Sequence, residues 1–191
     1  MNKYFEIRWH GRGGQGVVTG AKSLAKAVQG TGKHVVAFPE YGPERRGAPV
    51  KAFNRFSDEV IRTHTPVRTP NLVIIADPTL IGNPAVAEGI DKDTRIIINS
   101  EKSAQELGKV FSQSNGNIYT VPANRISREL FGRELPNSAI MGAIAKVCGD
   151  VISLEDLMVN SGPVFEEMLG AALAEKNLQA IKSGYEETGA S

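Results

Sequence analysis

Apolar and polar side chains alternate from Tyr4 to Trp9, the period-two pattern of a strand with one buried face. From Val17 to Val28 the spacing changes to the helical one, and Gly30-Thr31-Gly32 closes that element. His34 to Phe38 predicts a second strand, stopped by Pro39. Residues 39 to 49 hold three prolines and two glycines, so they form a loop. Lys51 to Phe56 alternates again, and Val60 to Arg62 reads as its antiparallel hairpin partner across Ser57-Asp58. Leu72 to Ala76 and Thr94 to Asn99 are continuous apolar runs, which suit the buried middle of a parallel sheet.

Between those runs, Pro84 to Gly89 predicts a short helix. Another is expected from Glu101 to Leu107, capped by Ser100 with Ser103 in its first turn. Asn117 to Val121 predicts a strand, and Pro122 to Leu130 a helix with proline in its first turn. After Pro136 the strand signals stop. Ser138 to Val147 is helical and dense in small residues. Ser153 with Asp156 has capping-box spacing. Val164 to Ser183 reads as one long helix with Phe165, Leu169, Leu173 and Leu178 on its apolar face, followed by a frayed tail. The order predicts an α/β fold: a doubly wound, mostly parallel sheet with helices on both faces and a helical C-terminal end. At 191 residues, a single domain over 1–191 is expected.

Composition narrows the function. Lys and Arg total 22 against 21 acidic residues, so a net charge of +1 gives no global reason to bind nucleic acid. The one cysteine, Cys148, excludes an intrachain disulfide and a self-contained four-cysteine iron–sulfur cluster. It reads as a buried, inert thiol. His10, His34 and His64 have no metal-ligand spacing. No apolar run approaches the roughly 20 residues of a membrane span. The polar N-terminus does not resemble a signal peptide, and a cytoplasmic location is expected.

Two loops carry the candidate chemistry. Gly11, Arg12, Gly13, Gly14, Gln15 and Gly16 follow a strand and open a helix, the context of a phosphate-binding turn. For the acidic residue expected at the end of the second strand of a dinucleotide site the nearest carboxylate is Glu40, which follows Pro39 at the start of the loop, and Gly16 is followed by Val17-Val18 instead of Lys-Ser or Lys-Thr. Three uses stay open: a phosphate-bearing ligand, close packing, or an anion contact shared with a partner chain. Glu44, Arg45 and Arg46 form the second loop, whose prolines preset two guanidinium forks suited to carboxylate or phosphate. A solvated charge cluster is the alternative. His10 has no nucleophile or carboxylate companion in sequence, and Asp77 stands at a strand's carboxyl end, placed for a turn or cap.

The runs His10 to Gly16 and Phe38 to Pro49 resemble the gamma subunit of 2-oxoacid:ferredoxin oxidoreductases, and Glu44-Arg45-Arg46-Gly47-Ala48-Pro49-Val50 resembles the pyruvate branch. Asp77 to Leu80, Ile96 to Glu101, Pro136 to Ala139 and Leu173 to Tyr185 add to the likeness. The resemblance implies a complex that oxidises pyruvate with coenzyme A to acetyl-CoA and carbon dioxide, or runs the reverse, while reducing ferredoxin. It implies thiamine diphosphate, Mg2+ and [4Fe–4S] clusters on alpha, beta and delta partner subunits, and no cofactor or catalytic residue on this chain alone. The glycine and arginine loops would then dock to those subunits or shape the coenzyme A and substrate entrance. Tyr41-Gly42-Pro43 is closer to other 2-oxoacid branches, which keeps an oxalate-type relative open. A free-standing dinucleotide-binding protein and a pure scaffold are the readings of a different class.

Overall fold

The computed structural model describes residues 3–40, 47–108, 111 and 117–190. Among them, seven strands form one sheet: β1 (Phe5–Arg12), β2 (His34–Glu40), β3 (Pro49–Ser57), β4 (Leu72–Ile75), β5 (Arg95–Asn99), β6 (Ile118–Val121) and β7 (Gly189–Ala190). The spatial order is β2-β3-β1-β4-β5-β6-β7. β1, β4, β5 and β6 run parallel to one another, while β3 is antiparallel to both β1 and β2, and β7 to β6.

Alternate residues of the central strands feed two cores. Trp9, Leu72, Ile74 and Ile97 pack under α1 (Val17–Gln29), α5 (Asn137–Val147), α6 (Leu154–Leu169) and α7 (Ala171–Glu187). Val73, Ile75, Ile96, Ile98 and Ile118 pack on the opposite face, under α2 (Pro84–Ala87) and α3 (Ala104–Gly108). Helices on both faces of a predominantly one-directional sheet match the expected architecture.

Several local expectations are corrected. Val60 to Arg62 forms no strand; β3 inserts between β2 and β1. Residues 58–71 cross a sheet face without regular structure, held by two buried arginines. Arg55 donates to the carbonyls of Thr63 and Thr65, at 3.0 and 3.1 Å, and Arg8 donates to those of Val67 and Arg68. Polar anchors of this kind leave no hydrophobic period to read.

Pro39 does not stop β2, because an edge strand tolerates a missing N–H. The long C-terminal helix is two helices: Gly170, at φ 82°, breaks it into α6 and α7, which leaves Leu169 and Leu173 exposed at the corner and Phe165 buried. The tail is not wholly frayed, since Gly189 and Ala190 pair with Thr120 and Tyr119.

Helix caps follow local chemistry. Ser153 accepts the Asp156 N–H at 3.0 Å, as its spacing predicts. For α3 the cap is Ser103, not Ser100: Ser103 and Glu106 exchange side-chain-to-backbone hydrogen bonds in both directions. Pro122 lies just before α4 (Ala123–Phe131) instead of inside its first turn. The small residues of α5 allow very close packing on α7. A methyl on Gly142 would stand 1.9 Å from the Ile181 carbonyl oxygen, and one on Gly184 would stand 2.0 Å from that of Ala139.

Candidate functional site at the carboxyl edge of the sheet

After β1 the chain leaves by α1 over one face; after β4 it leaves by α2 over the other. The carboxyl ends of these adjacent strands therefore flank a topological switch point, where open α/β sheets bind ligands. Strand β1 carries Gly11 and Arg12 as its last two residues, so only Gly13 to Gly16 form the loop.

That loop is tied to itself and to its neighbours. Gln15 N–H donates to the Arg12 carbonyl at 3.1 Å, and Arg12 N–H donates to Gln15 Oε1 at 2.8 Å. Gly13 N–H donates to the Ala48 carbonyl at 3.0 Å. Gly16 precedes α1 in the left-handed conformation with no side chain capping the helix. The N–H groups of Gly14 and Gly16 have no partner among the described residues. Gly11 brings strand and helix together, since a methyl there would stand 2.3 Å from Val17 Cγ2.

Asp77 holds the assembly from the end of β4. Its carboxylate accepts from Gln15 Nε2 at 2.8 Å and from both the N–H and the hydroxyl of Thr79, and it forms an ion pair with Arg12, whose Nε lies 3.1 Å away. Burial pushes this carboxyl up, but the Thr79 and Gln15 hydrogen bonds and the Arg12 charge outweigh it and hold it below its ordinary value. Arg12 also donates to Thr79 Oγ1 and, at 3.1 Å, to the Gly47 carbonyl. Two further N–H groups of its guanidinium have no partner among the described residues.

Glu44, Arg45 and Arg46 lie outside the described residues. Their C-terminal flank, Gly47-Ala48, is the segment that Arg12 and Gly13 bind, which places that loop's return at the same edge. Asp77 does cap the following short turn (Pro78–Leu80), as its position suggests. Its grip on Arg12 and Gln15 was not legible, because 62 positions separate Gln15 from Asp77. Asn137 was missed in the same way. Its side chain sits against Gly16, where a methyl would stand 2.3 Å from the Asn137 amide nitrogen.

His10 lies just below the edge, 3% exposed. Its Nε2 accepts Arg8 Nε–H at 2.9 Å, so its proton resides on Nδ1. Burial, then the charges of Arg8 and Lys51, push the imidazole down to about 3.

Against known proteins, a family profile described as pyruvate ferredoxin/flavodoxin oxidoreductase matches residues 6–187. Pyruvate synthase subunit PorC of Thermotoga maritima is 40% identical over 185 residues, covering 97% of this chain and 95% of that one. The chain is a gamma subunit of the 2-oxoacid:ferredoxin oxidoreductase family, on the pyruvate synthase side. The pyruvate/ketoisovalerate oxidoreductases common subunit gamma of Thermococcus kodakarensis is also 40% identical, over 96% of both chains. The solved structure of Thermotoga maritima pyruvate oxidoreductase subunit PORC superposes with a TM-score of 0.84 at 37% identity, covering 100% of this chain and 99% of that one. The 2-oxoglutarate:ferredoxin oxidoreductase of Magnetococcus marinus, solved with coenzyme A bound, shares the fold at a TM-score of 0.73 and 19% identity. There the gamma-type fold occupies 31% of a longer chain.

The gamma subunit's own side chains do not fit an iron–sulfur cluster. Its single thiol, Cys148, is fully buried, and burial first, against the opposing pull of Arg95, pushes it up to about 11. Among the described residues no three His, Cys, Asp or Glu side chains gather as a metal site, and no helix is long and apolar enough to cross a membrane.

Proposed function

We propose that this gamma subunit works in the cytoplasm, as a single domain over 1–191, only within a heteromeric complex. That complex oxidises pyruvate with coenzyme A to acetyl-CoA and carbon dioxide, or runs the reverse, and exchanges electrons with ferredoxin. Thiamine diphosphate, Mg2+ and [4Fe–4S] clusters reside on alpha, beta and delta-type partners. The gamma chain contributes its carboxyl edge. Gly11, Arg12, Gly13, Gly14, Gln15 and Gly16, with Glu44, Arg45 and Arg46, form the rim of the coenzyme A entrance and of the partner contact.

The observation that carries this reading is the loop locked by Asp77. It leaves the N–H groups of Gly14 and Gly16 and part of the Arg12 guanidinium unclaimed by described residues at one uncapped helix start. Fixed N–H groups and a cation at a helix N-terminus favour an anionic group such as a phosphate. Backbone fixed in advance also loses little entropy on binding.

The test is kinetic, on the assembled complex. Arg45→Ala/Arg46→Ala should raise the KM for coenzyme A about tenfold, the loss of roughly one charge-assisted contact of about 1.4 kcal/mol. The kcat should hold. An unchanged KM in an intact complex overturns the ligand role of that loop. Assays with pyruvate, 2-oxobutyrate and oxalate in turn fix the substrate; turnover of oxalate without coenzyme A would replace the pyruvate assignment.

A further inference from the structure

On the face opposite α1, beneath the carboxyl edge, lies a cavity of about 110 Å3 that the glycine loop does not line. One wall is a row across three strands. Glu40 of β2 pairs in register with Lys51 of β3, which pairs with His10 of β1. The other wall is Leu80, Asn83 and Val86, from the connection that follows β4.

The polar groups there are mostly donors. Arg8 occupies His10 Nε2, so Nδ1–H is the donor left to His10, and no described residue accepts it. Asn83 has its Oδ1 committed to the Ala85 N–H at 2.9 Å, which leaves its amide nitrogen to donate. Lys51 adds an ammonium, 3.8 Å from Glu40.

Two cations and two carboxylates surround the cavity. Behind His10, Arg8 is 2% exposed and donates to the carbonyls of Val67, Arg68, Val86 and Glu88. No carboxylate pairs with it among the described residues. Lys51 faces Glu40 on the cavity wall, and Glu88 and Glu40 both act electrostatically on Arg8 behind it. An arginine donating into one nitrogen of an imidazole also strengthens the opposite N–H as a donor.

Size and lining set the rest. At a share of about 30 Å3 per water, the space holds roughly three or four waters or one molecule of a few non-hydrogen atoms. Leu80 and Val86 are buried and apolar, and suit a short carbon chain. We propose that this cavity is a binding site for a short-chain monocarboxylate, its oxygens accepting from His10 Nδ1–H and the Lys51 ammonium and its carbons lying against Leu80 and Val86.

The experiment titrates the full chain with sodium acetate and sodium pyruvate at constant ionic strength, with methylammonium chloride as the cation comparator. Heat and the His10 Nδ1–H proton resonance are followed together. Saturable one-to-one binding that moves the His10 resonance is expected. Ala85→Leu, which fills the space, and Lys51→Met should each weaken it at least tenfold while the far-ultraviolet spectrum is kept. If Ala85→Leu fails to fold, Lys51→Met decides. No saturable response to either carboxylate, an equal response to methylammonium, or undiminished binding in a folded variant overturns the proposal.

Discussion

The side-chain amide of Gln15 donates to the carboxylate of Asp77 at 2.8 Å, and this bond fixes the loop after β1 to the turn after β4. Asp77 also takes Arg12 and Thr79, and its side chain is almost buried. Asp77→Asn keeps the shape but presents a donor where acceptors are needed. It should cost about 2 kcal/mol in urea unfolding, the scale of a lost hydrogen bond to a charged group. A double-mutant cycle with Arg12→Met should be non-additive, because the two residues share partners. Additive effects would mean that the two act separately.

Gly16 and Asn137 supply a second test. Gly16→Ala places a methyl at positive φ and against the Asn137 amide. The backbone part costs about 1–2 kcal/mol. The contact part should vanish in the background Asn137→Ala, since the clash is with the tip of a flexible side chain. Unfolding curves of the two singles and the double separate these parts. A double variant no more stable than Gly16→Ala would assign the whole cost to the backbone.

Gly184 packs directly on the Ala139 carbonyl, backbone against backbone, with no flexible atom to yield. Gly184→Ala should therefore destabilise by about 3 kcal/mol or more, the upper range for overpacking. Gly132→Ala meets no neighbouring atom but is at φ 69°, so it should cost only the conformational part. Thermal melts of the two variants should differ by more than about 4 °C.

His10 predicts an acid limb in stability. In the unfolded chain an imidazole binds its proton near pH 6.5, roughly the ordinary value. In the fold it does so only near 3. Between those values the unfolded state holds the extra proton, so stability falls as pH falls, by up to about 1.4 kcal/mol per pH unit. Above about pH 6.5 the contribution is full and flat. Urea midpoints from pH 8 to pH 4.5 should show that decline, and His10→Gln, which keeps an acceptor for Arg8, should lose this part of it.

The periodic elements were readable because burial on one or both faces leaves a period in the sequence. Leu72 to Ile75 and Arg95 to Asn99 are the clearest cases. The path of residues 58–71 was not readable, because Arg8 and Arg55 hold it by bonds to carbonyls, and a carbonyl has no sequence signature. The break at Gly170 was hidden by helical spacing on both sides of it. At the site, the glycine loop was visible as a run of residue types. Asp77, which locks it, and Asn137, which packs against Gly16, come from other elements and are brought in only by the topology.

As proposed, this chain is an obligate part of a larger oxidoreductase. The test is anaerobic reconstitution with the proposed alpha, beta and delta-type partners, with and without the gamma chain. The readout is pyruvate- and coenzyme A-dependent reduction of ferredoxin. The expected result is no turnover by the gamma chain alone, full turnover by the complete complex, and loss of at least tenfold in coenzyme A-dependent turnover when the gamma chain is omitted. Undiminished turnover without it would rule out an obligate role for this chain.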